Sequence, residues 1–359
     1  MTDTTIPTGA TIGIIGGGQL GRMLSQAADR MGYHTHVFCP EADSPAAQVA
    51  TCATTGAYDD YSALRGFAKT VDVVTFEFEN VPSDGMALLE AMVPVRPSAQ
   101  WLYLCRNRVR EKNFINAQGI ATTRFIRITG EDGLREALRE IPPPAILKTT
   151  ELGYDGKGQG TVHSVNEAAE VWTSLRTKEA ILEARVDFDR EISVIVARNV
   201  SGVMQCFPPA YNIHINHILD RSIVPAPIAG DVTEKAEYIA MTLAEAGELV
   251  GLLAVELFLA EDGTLLVNEL APRPHNSGHW TMDGCATSQF EQQVRAICGL
   301  PLGAVDITSP VEMKNLVGEE VNHAGNYATQ EHARVHLYGK KEIRPGRKMG
   351  HVNLLYPTS

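Results

Sequence analysis

Residues 11–31 read TIGIIGGGQLGRMLSQAADRM, an apolar run that enters three consecutive glycines and leaves them as a periodic segment. The run before the glycines predicts a strand. After them, Leu20, Met23, Leu24, Ala27, Ala28 and Met31 recur at three- and four-residue steps, making one apolar stripe opposite Arg22, Gln26, Asp29 and Arg30. Strand-like runs at residues 34–38 and 71–79 continue the alternation, which predicts a doubly wound α/β unit. Gly16, Gly18 and Gly21 fit the G-x-G-x-x-G spacing, where the backbone can approach an anion and the free N–H groups of the helix can hold it. Glu41 or Asp43 lies about 20 residues on, as a ribose partner should. The motif alone reads as an NAD or FAD site, as a site for another phosphate, or as a structural turn.

Beyond Pro97 the pattern changes. A polar helix at residues 107–118, ended near Gly119, leads into a smaller α+β stretch. That stretch carries a strand at 145–148, a loop at 149–160, a strand at 161–165, a helix from Asn166 and a strand at 180–186. A third block opens near Phe188 with a β-rich run at 191–197 and includes a helix from Asp231, with Asp231 as N-cap and Glu234 as its capping-box acid. Three domains are expected: 1–105, 106–186 and 187–359.

A chain of 359 residues can bury a large core, and no stretch approaches the roughly 18 uncharged apolar residues of a membrane span. The polar start carries no secretion signal, so a soluble cytoplasmic protein is expected. A formal charge of −12 opposes binding to nucleic acid or to an anionic membrane. The six cysteines form no CxxC pair, which argues against a zinc site and a disulfide scaffold.

Four further stretches could carry chemistry. Lys148 ends a strand, and the glycine-rich residues 149–160, with a second lysine at Lys157, could close over a triphosphate; a solvated hairpin is the plain alternative. Glu256 and Glu269 flank Asp262-Gly263, the preferred two-residue hairpin turn. That turn places Glu256 opposite Glu269, and Phe258 opposite Val267 on the same face. Like charges stacked across a ribbon destabilise it, so a divalent cation between them, Mg²⁺ by its all-oxygen ligands, is the simplest way to keep both ionised. The run APRPHNSGHW at 271–280 is stiffened by two prolines and offers Arg273 for an anionic intermediate and His275 or Asn276 for a small substrate. The basic cluster KKEIRPGRK at 340–348 could bind a phosphate monoester, or be a solvated charge run.

Taken together and in order, GGGQLGRM at 16–23, GYDGKGQG at 153–160, NEL at 268–270, APRPHNSGHWT at 271–281 and RPGRKMGHVN at 344–353 resemble the N5-carboxyaminoimidazole ribonucleotide synthetase family. The resemblance spans about residues 11–357 and implies a three-domain ATP-grasp fold, α/β and α+β, with an N-terminal Rossmann-like parallel sheet. It implies a ligase of purine synthesis that uses ATP, Mg²⁺ and bicarbonate to carboxylate 5-aminoimidazole ribonucleotide through carboxyphosphate, acting as a homodimer. Carried over by position, the resemblance assigns ATP to Arg108, Lys148, Gly153, Tyr154, Asp155, Gly156, Lys157, Gly158, Gln159, Glu183, Ala184, Arg185, Val186, Glu191, His214, Asn268 and Glu269. Glu256 and Glu269 become the metal ligands. Gln19, Leu20, Tyr154, Asp155, Arg273, His275, Asn276, Lys340 and Arg347 surround the ribonucleotide or bicarbonate, with Arg273, His275 and Tyr154 as catalytic side chains. His275 or Tyr154 is the expected proton acceptor, and Lys340 or Lys341 the phosphate lysine. The glycine motif then meets the ribonucleotide in place of a dinucleotide.

The chain departs from the family pattern at Leu152, where a second loop glycine is usual, and at Tyr211 and His217, in place of a histidine and a glycine. Two other enzyme readings stay open: a formate-dependent glycinamide ribonucleotide transformylase, against which HNSGHWT at 275–281 speaks, and a nicotinamide oxidoreductase. A non-catalytic nucleotide-binding protein would have lost metal or phosphate ligands, and no such loss is seen.

Overall fold

The computed structural model describes residues 5–153 and 157–357. Strands β1 (Thr11–Ile15), β2 (His34–Cys39), β3 (Cys52–Thr55) and β4 (Val73–Phe76) form a parallel sheet in the order β3-β2-β1-β4. Helix Gln19–Arg30 buries Leu20, Met23, Leu24 and Ala28, four residues of the stripe read from the sequence. They pack on Ile12, Ile14 and Val37 and also on Phe290, Val294 and Ile297 of the distant helix Gln289–Ile297, which fastens the first unit to the C-terminal half.

Strands β5 (Phe125–Ile128), β6 (Ala145–Thr149), β7 (Gln159–Val162) and β8 (Ala180–Ala184) make an antiparallel sheet in the order β5-β8-β6-β7. Leu134 and Leu138 of helix Glu131–Glu140 cover it over Leu147 and Leu182. The second strand of its hairpin begins at Gln159, two residues earlier than expected, because Gln159 pairs with Lys148 and Thr149 N donates to Gly158 O at 2.8 Å.

The largest sheet holds nine strands: β9 (Arg190–Arg198), β10 (Met204–Cys206), β11 (Ala210–Ile215), β12 (Ile218–Val224), β13 (Gly251–Leu259), β14 (Leu265–Ala271), β15 (Val311–Val317), β16 (Ala333–Leu337) and β17 (Lys348–Leu355). Its path is β14-β13-β9-β11-β12-β15-β17-β16, with β10 beside β9. Side chains alternate across it. Ile192, Val194 and Val196 of β9 with Val255 and Leu257 of β13 face helix Gly230–Ala246, whose Val232, Ala236, Ala240, Leu243 and Ala244 recur at helical steps. Each large apolar side chain buried on this seam contributes roughly 1.5–3 kcal/mol. The opposite face of the sheet carries Glu191 and Ser193 of β9, Asn212 of β11 and Glu256 of β13, with Asn212 abreast of Glu191 and Glu256 abreast of Ser193. The expected cap of the helix is not formed: its N-cap is Ala229, and Asp231 sits in the first turn with Lys235 at 3.0 Å.

Candidate active site

The hairpin of β13 and β14 pairs Glu256 with Glu269, as the sequence suggests, but by a different route. The turn takes three residues: Gly263 N donates to Ala260 O at 3.0 Å, Ala260 N donates to Thr264 O at 2.9 Å, and Gly263 has φ +81°. That left-handed position suits glycine, which lacks the Cβ that makes it costly. Phe258 therefore faces Leu266, not Val267, which faces Leu257. A bulge at Asn268 then restores the pairing of the two acids. Two one-residue irregularities offset each other between the tip and the site.

Both acids line a cleft of about 1220 Å³ between the three sheets. Burial, and then the charge of Glu269, push the Glu256 carboxyl up to about 7. The amide oxygen Oδ1 of the bulged Asn268 is buried without a hydrogen-bond partner. Two carboxylates and an orphaned amide oxygen fit a hard cation that completes its shell with water and phosphate oxygens. Among the described residues no three His, Cys, Asp or Glu side chains converge into a closed metal cage.

Beneath the cleft lies a knot of buried charge. Lys148 Nζ is 2.7 Å from Glu183 Oε2, and Lys112 Nζ is 3.5 Å from Glu183 Oε1. Burial alone would raise the Glu183 carboxyl; Lys148 and Lys112 outweigh it and hold it at about 2. Arg108 joins this knot to the acids, since its guanidinium lies 3.4 Å from Glu269 Oε2 and donates to Gly153 O at 3.2 Å. Helix Arg108–Ala117 is started by Asn107, whose side chain accepts from Val109 N and Arg110 N. Burial, followed by the charge of Glu269, raises Glu111 of the same helix to about 8. Lys112 and Glu111 escaped the sequence reading, although Arg108, Glu111 and Lys112 stand at helical steps on one face. Lys112 also donates to the bulged Asn268 O at 3.2 Å.

The segment after β14 brings Arg273, His275 and Asn276 to the cleft wall. Arg273 Nε is 2.7 Å from Glu79 Oε1, a partner the sequence did not single out. Burial would weaken the hold of Arg273 on its proton, and Glu79 more than restores it. Burial holds the His275 ring well below the usual imidazole range, and Arg273 and Lys348 add to the effect. Its Nε2 lies 3.4 Å from Glu256 Oε1. The side-chain Oδ1 and Nδ2 of Asn276 are both buried without partners.

The glycine motif does not offer a free anion site. Glu77 at the end of β4 accepts hydrogen bonds from Gly18 N and from Gly21 N, the latter at 3.0 Å. A methyl group at Gly16 or Gly18 would collide with this carboxylate. A side chain thus occupies the place a pyrophosphate takes in a dinucleotide fold, and Asp43 is paired with Lys341, which overturns the NAD or FAD reading. Gln19 and Leu20, held by the same loop, line the cleft.

Of the other residues, Lys148, Gly153, Lys157, Gln159, Glu183, Ala184, Arg185, Val186, Glu191 and His214 all line the cleft. Gly158 sits at φ +70° against Thr149. Phe188 and Phe258 stack in the same wall with ring centroids 4.6 Å apart. His214 Nδ1 lies 2.8 Å from Glu191 Oε2; burial opposes protonation of the ring, but the bond to Glu191 prevails and raises its pKa. Tyr154, Asp155 and Gly156 fall outside the described residues. From the basic cluster it is Lys348 that lines the cleft. Lys340 donates to Lys348 O at 2.6 Å and Arg347 to Glu342 O at 3.0 Å, and neither is among the lining residues.

Comparison with known proteins places this geometry in context. Residues 9–106 match the ribonucleotide synthetase preATP-grasp domain, residues 113–290 the ATP-grasp domain, and residues 312–359 the phosphoribosylaminoimidazole carboxylase C-terminal domain. The N5-carboxyaminoimidazole ribonucleotide synthase of Brucella melitensis is 46% identical over 100% of both chains. A solved ADP complex of an N5-carboxyaminoimidazole ribonucleotide synthetase superposes with a TM-score of 0.96 at 46% identity, covering 99% of this chain and 94% of that one. The Aspergillus clavatus enzyme in complex with ADP and 5-aminoimidazole ribonucleotide does so with a TM-score of 0.92 at 30% identity, over 98% and 95%. The chain spans 37% of the bifunctional purine synthesis protein of Dictyostelium discoideum, at 44% identity over 97% of its own length. No helix among the described residues is long and apolar enough to cross a membrane.

Proposed function

The chain belongs to the N5-carboxyaminoimidazole ribonucleotide synthase family of ATP-grasp ligases, and from that membership we propose that it uses ATP and bicarbonate to carboxylate the amine of 5-aminoimidazole ribonucleotide, releasing ADP and phosphate. The observation that carries the reading is one cleft lined by the paired acids Glu256 and Glu269, by Lys148 and Glu183 of the buried charge knot, and by Gly153, Lys157, Gln159 and Gly160 of the glycine-rich stretch. Glu256 and Glu269 would hold Mg²⁺, which when bound would supply charge neutralisation at the phosphates.

The triphosphate lies against Arg108, Lys148, Lys157 and the backbone of residues 153–159, where fixed cations offset charge that develops on phosphoryl transfer. The adenine sits against Ala184, Arg185 and Val186, with Glu183, Glu191 and His214 completing the nucleotide pocket and Asn268 beside the acids. Bicarbonate attacks the γ-phosphate to give carboxyphosphate, whose anionic charge Arg273 offsets. Residues 153–160 exclude water until that intermediate yields CO₂ beside the amine. The ribonucleotide meets Gln19, Leu20, Arg273, His275 and Asn276, with Tyr154 and Asp155 from the loop; Lys340 and Arg347, which stand back from the cleft lining, reach its phosphate by leaving their carbonyl partners. We assign the chain three domains, 1–105, 106–186 and 187–359, and a cytoplasmic homodimer as its working form.

Purified protein with ATP and Mg²⁺ tests the reading. ADP release should require 5-aminoimidazole ribonucleotide and bicarbonate, and a carboxylated product should form. Turnover with glycinamide ribonucleotide and formate in their place would overturn the assignment in favour of the transformylase.

A further inference from the structure

A file of buried hydroxyl and amide groups runs under the cleft floor to His275. Ser222 Oγ donates to Asn212 Oδ1 at 2.7 Å, and Asn212 Nδ2 donates to Ser193 Oγ at 2.9 Å. Ser193 Oγ donates to Ser277 Oγ at 2.8 Å, and Ser277 Oγ lies 2.8 Å from His275 Nδ1. Ser193, Asn212, Ser222 and Ser277 are all buried. The first three stand on the adjacent strands β9, β11 and β12, on the face of the sheet that carries Glu256.

Such a file has a direction. Each serine hydroxyl has one proton to give, so a donor at one end sets the sense of every bond after it. Here the sense starts at the amide of Asn212 and ends on His275 Nδ1. A second contact points the same way: Ser277 N, 3.3 Å from His275 Nδ1, is a backbone amide and can only donate. Both bonds need a lone pair on Nδ1, which leaves the ring proton of neutral His275 on Nε2, facing Glu256 Oε1 at 3.4 Å.

We infer that His275 serves the reaction as a hydrogen-bond donor through Nε2–H, and that Asn212 is the positioning residue that sets this tautomer through Ser193 and Ser277. The inference rests on the ligase reading above. A ring that donates from Nε2 presents no lone pair to the cleft, so the proton leaving the substrate amine goes to a group other than His275.

Protein labelled with ¹⁵N in its histidine rings provides the test, with long-range ¹H–¹⁵N correlation spectra reporting which ring nitrogen carries the proton. The His275 signals are identified by their loss in His275→Ala. The wild-type spectrum should show Nδ1 bare and Nε2 protonated. Asn212→Asp has the same shape but no donor, so it should reverse the file and bring up the Nδ1–H form, lowering kcat for ADP release on the order of tenfold with KM for ATP unchanged. Ser193→Ala breaks the file without adding charge and covers the case in which Asn212→Asp does not fold; it should give a mixture of tautomers. A wild-type ring protonated at Nδ1, or an unaltered tautomer in a folded variant, would overturn the inference. Absence of ribonucleotide-dependent ADP release from the wild type would instead sink the ligase reading, and the spectrum stands apart from that result.

Discussion

Lys148 Nζ stands 2.7 Å from Glu183 Oε2, each on a different strand of the sheet formed by β5 to β8, with both side chains largely buried. A carboxylate in that setting is a structural requirement before it is a nucleotide contact.

Glu183→Gln would leave Lys148 and Lys112 without their counter-charge, and breaking a buried pair costs about 3–5 kcal/mol. The carboxyl is depressed from 4.5 to about 2 in the folded chain, so its contribution is fully present above the unfolded value and is lost as pH falls through the folded one. The gap in urea midpoint between wild type and variant should be widest at neutral pH and narrow in acid. A gap that widened on acidification would contradict the pairing.

Replacing either member of the acid pair should act on chemistry more than on folding. Glu269→Gln and Glu256→Gln are each expected to lower kcat for ADP release by about 10²-fold or more, the scale seen when a preorganised electrostatic partner is removed. Far-ultraviolet circular dichroism should stay at the wild-type level. Wild-type turnover in Glu269→Gln would remove that residue from the proposed metal site.

Glu77→Gln exchanges one carboxylate oxygen for an amide nitrogen, which cannot accept, so one of Gly18 N and Gly21 N loses its partner while the remaining oxygen serves the other. The loop holding Gln19 and Leu20 should loosen, raising KM for the ribonucleotide by about tenfold while KM for ATP changes little. Calorimetry with NAD should detect no binding to the wild type. Heat from NAD at micromolar concentration would mean that the glycine loop remains open to a pyrophosphate.

Asn216 and His217 join β11 to β12 with φ of +51° and +65°, so both sit in the left-handed region. A two-residue turn with this backbone favours Asn-Gly. His217→Gly should raise the unfolding free energy by about 0.5–1 kcal/mol, because relief of the left-handed penalty exceeds the entropy that glycine adds to the unfolded chain. Thermal melting checks the sign, and a lowered midpoint would show that the imidazole makes a contact worth more than the strain.

Much of this architecture could be read from local patterns. The strand, the glycines and the helical stripe of residues 11–31 appear where expected, and Asn107 starts its helix as a side-chain cap. What escaped depends on contacts made across long separations. Glu77 reaches Gly18 from 59 residues away, and Lys112 reaches Asn268 O from 156, with no spacing rule to announce either. The Asp231 cap failed for a local reason: the helix begins at Gly230, so Asp231 lies inside the first turn and pairs with Lys235. The acid pair was found through a turn of the wrong length, and only the bulge at Asn268 made the outcome agree.

That bulge limits how the ribbon can be redesigned. Deleting one residue from the outer half of β14, at 265–267, would slide the part beyond it by a single step, and a single step reverses which side of a strand a residue occupies. A turn of two residues in place of three could still close on Ala260 and Thr264, and removing Asn268 would give an uninterrupted ladder with both glutamates still abreast. Length changes in this ribbon are therefore tolerated at the tip and at the bulge, and a change between them turns Val267 to the wrong face.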